Sequence, residues 1–288
     1  MLGLEVHILS ATTTSAHNLA GPCLGWTSEE MTQHIPRRRF GQNFLSDSGV
    51  VAAIVQAIDP QPEDRMVEIG PGLGVLTAPL LQRLKHLHVV EIDRDLVAHL
   101  RTRFPEAQLS IHAGDVLNFD FGLIPSPFRV VGNLPYNIST ELLFRLQKYA
   151  RHMVDGHFML QREVVERMIA KPSSAAYGRL SVMLQCRFDM EKIIDVPPES
   201  FRPAPKVDSA VVRICPLVTR RISSSHEEKF NEVVTTAFTQ RRKTLRNALG
   251  KLLDESALRE LGIDPQLRPE NLSVADYLHI TAFLQRER

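Results

Sequence analysis

The sequence predicts an α/β protein in which a mostly parallel sheet, covered by helices on both faces and edged by antiparallel strands, precedes a small all-α domain. Three observations carry this expectation. Between Gly49 and Ala170, short apolar runs alternate with amphipathic stretches, as βαβ units require. From Leu180 onward the apolar runs follow one another with little room for a crossover helix, which suits antiparallel pairing. Beyond Pro216 a polar hinge, residues 219–226, leads into apolar positions at helical spacing.

Taken in order, the first helix rests on Val50, Val51, Ile54, Val55 and Ile58, with Ser46 and Asp47 as its N-capping residues. Strands are expected over residues 66–69, 87–92, 109–112, 128–131 and 157–160, with helices over 75–84 and 96–104 between them. Residues 163–170 read as a helix, and 180–188, 192–196 and 209–214 as strands, the last two joined by a rigid Pro-rich loop over 197–205. Phe230, Val233, Val234, Ala237, Leu245, Ala248 and Leu249 then set a helical period, followed by a shorter helical tail to Leu284. These boundaries give three segments: a disordered extension over 1–33, a main domain over 34–218 and a helical domain over 219–288.

Composition excludes several classes. With 43% apolar and 23% charged residues in 288, the chain is neither disordered nor fibrous. Cys23, Cys186 and Cys215 lie far apart, without a Cys-x-x-Cys pair or nearby His cluster, so no metal site is expected and the thiols read as reduced, in a cytoplasmic protein. No apolar stretch approaches the roughly 18 residues of a membrane span. Residues 1–30 contain no Lys or Arg, so they lack the basic start of a secretory signal; Met31 is an alternative first residue. The net charge of +1 argues against a uniformly basic surface but leaves room for a segregated basic face.

Two motifs point to chemistry. Asn133-Leu134-Pro135-Tyr136 ends the apolar run at 128–131, and the glycine-rich turn Gly70-Pro71-Gly72-Leu73-Gly74 follows the run at 66–69. Together they suggest methyl transfer to an amino nitrogen. A ring-bound exocyclic amine is a poor nucleophile because its lone pair is delocalised. A site that methylates it needs acceptors that favour sp3 character and a flat face that fixes the ring. Asn133 offers a side-chain carbonyl, the peptide carbonyl of Leu134 or Pro135 a second acceptor, and Tyr136 the stacking face. The same four residues also suit an ordinary turn closing a strand.

Gly70, Gly72 and Gly74 permit a tight turn and close approach of a ligand to backbone amides. Their spacing departs from the G-x-G-x-x-G of dinucleotide sites, so an adenosyl ligand without phosphates fits at least as well as NAD. Glu91, 21 positions after Gly70, is placed to accept from both ribose hydroxyls, and Asp115 after the third strand to accept from an adenine amine. A solvated strand end and a turn aspartate are their plain alternatives. Three such residues in register at successive strand ends favour one ligand at the carboxyl edge of the sheet.

The segments Arg39-Phe40-Gly41-Gln42-Asn43-Phe44-Leu45, Glu68 to Gly74, Val90-Glu91-Ile92-Asp93, Asn133-Leu134-Pro135-Tyr136-Asn137-Ile138-Ser139-Thr140 and Phe201-Arg202-Pro203-Ala204-Pro205-Lys206-Val207-Asp208-Ser209-Ala210-Val211 complete a pattern. Together they make the chain resemble the ribosomal RNA adenine N6,N6-dimethyltransferases, in particular their bacterial small-subunit branch. The resemblance runs from about Arg37 to the C-terminus. It implies a seven-stranded, Rossmann-like methyltransferase sheet with an α-helical C-terminal domain. S-adenosylmethionine is the implied cofactor, held by Asn43, Leu45, Gly70, Glu91, Asp115 and Asn133. The implied reaction is dimethylation of two adjacent adenines in the loop of the last helix of 16S rRNA, in the small ribosomal subunit or its precursor, by a monomer.

On this reading Asn133 and the carbonyl at Leu134 or Pro135 orient the amine, and no general base is required, because the N6 proton becomes acidic only after methylation. Tyr136 and Phe201 would stack the two faces of the adenine. Phe201 could instead plug the core beneath the Pro-rich loop. Between Arg202 and Lys251 there are eleven Lys or Arg against four Asp or Glu, and Arg242, Lys243 and Arg246 are expected on one helix face as an RNA-binding patch. The competing functions are an adenine methyltransferase acting on 23S rRNA or DNA, and a non-catalytic RNA-binding factor for ribosome assembly.

Overall fold

Strands buried on both faces read as unbroken apolar runs, and Met66–Ile69 is the clearest case, with all four residues buried. The computed structural model describes residues 43–135, 137–219 and 221–286, which fall within one compact unit. The extension expected over 1–33, motif residues 39–42 and Tyr136 lie outside the described residues. In chain order the elements are β1 (Phe44–Leu45), α1 (Ser48–Ile58), β2 (Met66–Ile69), α2 (Thr77–Leu81), β3 (Leu87–Glu91), α3 (Arg94–Arg103), β4 (Leu109–Ala113) and β5 (Phe128–Asn133). There follow α4 (Ser139–Leu146), β6 (Met153–Gln161), α5 (Arg162–Ile169), α6 (Arg179–Gln185), β7 (Phe188–Val196), β8 (Phe201–Arg202) and β9 (Ser209–Pro216). The C-terminal helices are α7 (Glu227–Thr239), α8 (Leu245–Ala248), α9 (Glu255–Glu260) and α10 (Val274–Arg286).

Seven strands form one sheet in the order β4-β3-β2-β5-β6-β9-β7. The pairings from β4 to β6 are parallel, and β9 runs antiparallel to both β6 and β7. This is the mixed sheet with an antiparallel edge that the sequence predicts. One face is packed by a core containing Leu142, Leu143, Val165 and Leu184 from α4, α5 and α6; the other carries Ile54, Leu80 and Leu100 from α1, α2 and α3. The short strands β1 and β8 pair with each other, apart from the main sheet.

Capping fixes where the site-forming helices begin. Asp47 sits extended before α1 and its Oδ1 accepts from the backbone N–H groups of Gly49 and Val50. Asp93 caps α3 the same way, accepting from Asp95 N–H at 3.0 Å. Behind the sheet, the nearly buried Arg129 guanidinium donates to both carboxylate oxygens of Asp155, to Asp64 and to the Ile58 carbonyl. This network ties the end of α1 to β5 and β6.

Two elements differ from expectation: the run at 180–188, and the helical period over 230–249, which breaks after Thr239. The run at 180–188, predicted as a strand, is the helix α6, with only Phe188 entering β7. A short apolar run cannot by its pattern be told from a buried helix. Tertiary bonds decide it here: Ser181 Oγ donates to the Arg167 carbonyl in α5, and Gln185 Nε2 donates to the Met168 and Ala170 carbonyls left open at its end. Helices α7 to α10 gather a third apolar cluster, which also takes in Tyr177, Val182 and Cys186 from around α6. Among the described residues no helix is long and apolar enough to cross a membrane, and no group of three His, Cys, Asp or Glu side chains is placed to hold a metal.

Candidate active site

The carboxyl ends of β2, β3, β4 and β5 meet at one edge of the sheet, and a cleft of about 310 Å3 opens there. Its wall brings together Asn43, Leu45, Gly70, Gly72, Glu91, Asp115, Asn133, Leu134 and Pro135. Residues 90 positions apart in sequence are thus neighbours at the site the two motifs suggested. Glu68, Ile92, Val116 and Asn137 also line it, although the motif reading gave them no role. A charged residue in the otherwise apolar run Met66-Val67-Glu68-Ile69 was the available signal for Glu68.

Backbone geometry explains the glycines. Gly70 and Gly72 adopt φ values of +64° and +59°, in the left-handed region that other residues rarely enter. In β5, a Cβ on Gly132 would come within 2.7 Å of the Ile69 carbonyl. Only glycine lets β5 lie this close to β2, and that approach sets Asn133 beside the glycine turn.

Asn133 is half-buried, and its Nδ2 donates to the Asn43 carbonyl at 3.1 Å. That bond fixes which way the amide faces and leaves Oδ1 as the acceptor. Of the two backbone candidates, the Pro135 carbonyl accepts from Ile138 N–H at 3.2 Å, closing the turn into α4. Among the described residues the Leu134 carbonyl takes no such bond, which leaves it open to a further donor.

The electrostatics are acidic. Among the described lining residues are three acids, Glu68, Glu91 and Asp115, and no Lys or Arg. Glu91 accepts from Gly72 N–H at 3.1 Å and from Asp93 N–H at 2.9 Å on different carboxylate oxygens, with Ile92 N–H as a further backbone donor. Burial pushes its carboxyl above the usual range, against the pull of those backbone N–H groups. Asp115 Oδ1 accepts from Leu117 N–H at 2.9 Å, so it also makes the turn that its plain alternative required.

Glu68 is the most perturbed group. Burial pushes its carboxyl up from 4.5 to about 8, the Thr77 hydroxyl donating at 2.6 Å offsets part of that, and neighbouring Glu91 adds to it. The folded state therefore keeps a proton that the unfolded chain releases near its ordinary value. This contribution to stability is complete below about pH 4.5 and is lost as pH rises through about 8. Glu68→Gln is expected to remove that loss: between pH 5 and 8.5 the urea midpoint of the parent should fall relative to that of the variant. Parallel profiles would show that Glu68 ionises normally.

Two expected placements are corrected. Phe201 does not line the cleft; its ring is 1% exposed, in the core that also contains Leu45, Val196 and Val211, and it pairs with Leu45 across β1 and β8. With no open face, it stands as the core plug rather than a stacking platform. Arg242, Lys243 and Arg246 are all exposed but do not share a helix face. Helix α7 ends at Thr239, Arg242 and Lys243 lie in the following turn, and Arg246 is in α8. Tertiary bonds from Leu245 N–H to the Leu267 carbonyl and from Arg246 N–H to the Pro265 carbonyl break the helix that periodicity alone continues.

Comparison with known proteins agrees with this architecture. Residues 33–286 match the family model described as ribosomal RNA adenine dimethylase. The ribosomal RNA small subunit methyltransferase A of Nitrosospira multiformis is 60% identical over 256 residues, covering 89% of this chain and 99% of its own. Its namesake from Chromobacterium violaceum is 58% identical, covering 88% of this chain and 97% of its own. A crystal structure of a dimethyladenosine transferase from Plasmodium falciparum superposes with a TM-score of 0.73 at 24% identity, over 82% of this chain and 95% of that one, which speaks for the fold. A family match over nearly all the described residues, on a sheet whose strand ends build an acidic cleft around Asn133, means that the chain belongs to the ribosomal RNA adenine dimethylase family, whose enzymes are S-adenosylmethionine-dependent methyltransferases.

Proposed function

We propose that the protein dimethylates N6 of two adjacent adenosines in the 3′-terminal hairpin loop of 16S rRNA, during maturation of the small ribosomal subunit. The observation that carries the chemistry is the acidic cleft with Asn133 held at its rim by Asn43. The choice of small-subunit RNA rests on relatives of that name at close to three-fifths identity. A cytoplasmic monomer, with residues 34–218 catalytic and 219–288 binding RNA, is the organisation we assign to it.

The lining residues fit S-adenosylmethionine. A sulfonium cation suits a wall that offers the Glu91 and Asp115 carboxylates and, among the described residues, no basic side chain, whereas a diphosphate would find no cationic partner there. Glu91 would take the ribose hydroxyls and Asp115 the adenine amine, with Gly70, Gly72, Asn43 and Leu45 close against the ligand. When bound, the cofactor supplies an activated methyl group. The protein's part is to position: Asn133 Oδ1 and the Leu134 carbonyl accept the two N6 protons, turning the nitrogen lone pair out of the ring. Tyr136 is the proposed stacking face. Leu134 and Pro135 shape the approach, with Leu134 itself 1% exposed and anchored by a bond from its N–H to Met159.

Purified protein incubated with labelled S-adenosylmethionine and small subunits lacking the modification should yield dimethyladenosine confined to the 3′-terminal loop. Label in 23S rRNA would redirect the substrate assignment, and cofactor binding without transfer to any rRNA would favour a non-catalytic assembly factor.

For the basic residues, exposure of Arg242, Lys243 and Arg246 supports phosphate binding, although they are spread over a turn and α8. Replacing all three with Gln is expected to reduce the slope of log affinity against log salt by roughly 2 to 3. An unchanged slope in a salt-titrated binding assay would remove them from the interface.

A further inference from the structure

Asn133 is held by a backbone carbonyl, and that carbonyl belongs to the residue immediately before β1. What holds β1 therefore holds Asn133. Its partner is β8, with Leu45 opposite Phe201 and Phe44 opposite Arg202. Next to this two-rung ribbon sits Ser200, which is 1% exposed. Its carbonyl accepts from Ser46 N–H at 2.8 Å, from Asp47 N–H at 3.3 Å and from Ser46 Oγ at 3.2 Å. Its own hydroxyl donates to Asp47 Oδ2 at 3.3 Å, while Asp47 Oδ1 caps α1.

Ser200 thus clasps the chain between β1 and α1 from two sides, and a buried polar clasp of this kind favours one geometry over its neighbours. Downstream, β8 runs into the exposed residues 202–204 and 206–208.

We propose that Ser200 and Asp47 form a latch that positions Asn133: by fixing β1 they hold the Asn43 carbonyl where it captures the Asn133 amide, so that Oδ1 faces the substrate amine. The latch rests on the reading of Asn133 as the residue that receives the amine. Both latch residues act through β1 and touch no reacting atom.

The test follows the Asn133 side-chain NH2 signals by NMR in full-length protein with 15N-labelled asparagine, assigned by their absence in Asn133→Ala. Two variants open the latch differently. Ser200→Ala removes the hydroxyl, and Asp47→Ser keeps a capping oxygen for α1 but is too short to reach Ser200. Both leave the bonds to the Ser200 carbonyl in place and remove only the side-chain half of the latch, so the Asn133 NH2 signals should shift part of the way toward free-amide positions and lose some protection from exchange. The kcat for methyl transfer should fall about tenfold with the KM for RNA within about twofold, as expected when a positioned group is loosened without being removed. Ser200→Thr, which retains the hydroxyl, should restore both. If Ser200→Ala does not fold, Asp47→Ser carries the test alone. Unchanged Asn133 signals in a folded variant would overturn the latch, as would a loss of activity that merely follows the thermal midpoint. Transfer at the parental rate by Asn133→Ala would overturn the underlying reading instead, and the two failures are told apart because the NMR signals report the latch without reference to turnover.

Discussion

Asn133→Ala should slow methyl transfer to rRNA by about 10²- to 10³-fold, the usual consequence of removing one preorganised hydrogen-bonding group from a polar active site. The Leu134 carbonyl remains, so some residual transfer is expected. Folding should be little affected, because the side chain is half-buried and, among the described residues, bonds to the Asn43 carbonyl alone. Cofactor affinity should fall as well, since Asn133 lines the cleft together with Gly70 and Glu91. Single-turnover rates at saturating cofactor separate the two effects. Asn133→Asp is the sharper comparison: it keeps an acceptor but places an oxygen against the Asn43 carbonyl, where the parent has a donor. It is not expected to recover the rate. Parental activity in the Asp variant would mean that the bond to Asn43 plays no part in orienting the amide.

The parts of this fold that were legible in the sequence are those whose residues answer to one local demand. Strand β2 is buried on both faces, and it was the alternation of short apolar runs with amphipathic stretches around it that marked it as a strand in the parallel half of the sheet. Gly70 and Gly72 were legible because a left-handed turn narrows the choice of residue. The illegible parts are those decided by partners distant in sequence. Helix α6 depends on Gln185 capping α5, and the break after Thr239 depends on carbonyls at Pro265 and Leu267. Phe201 is the plainest case. An aromatic beside a Pro-rich loop suits a stacking platform as well as a core plug, and only its pairing with Leu45, 156 positions earlier, decides between them.

That decision has a measurable consequence. Phe201→Ala is expected to cost about 3 to 5 kcal/mol of folding stability, read from denaturant unfolding, because it empties a fully buried aromatic site. A cavity there also undermines Leu45, which lines the cleft from β1, so affinities for cofactor and RNA should weaken together. Phe201→Leu separates packing from stacking. Leucine refills most of the volume and should cost less than about 1.5 kcal/mol, with near-parental activity. It offers no π face, however, and a base stacked on Phe201 would lose about 1 to 3 kcal/mol of binding on that change. A Phe201→Leu protein that folds as well as the parent but binds RNA ten- to a hundredfold more weakly would restore the stacking role. It would also mean that β8 must swing out of the core when substrate arrives, since the ring has no exposed face where it now lies.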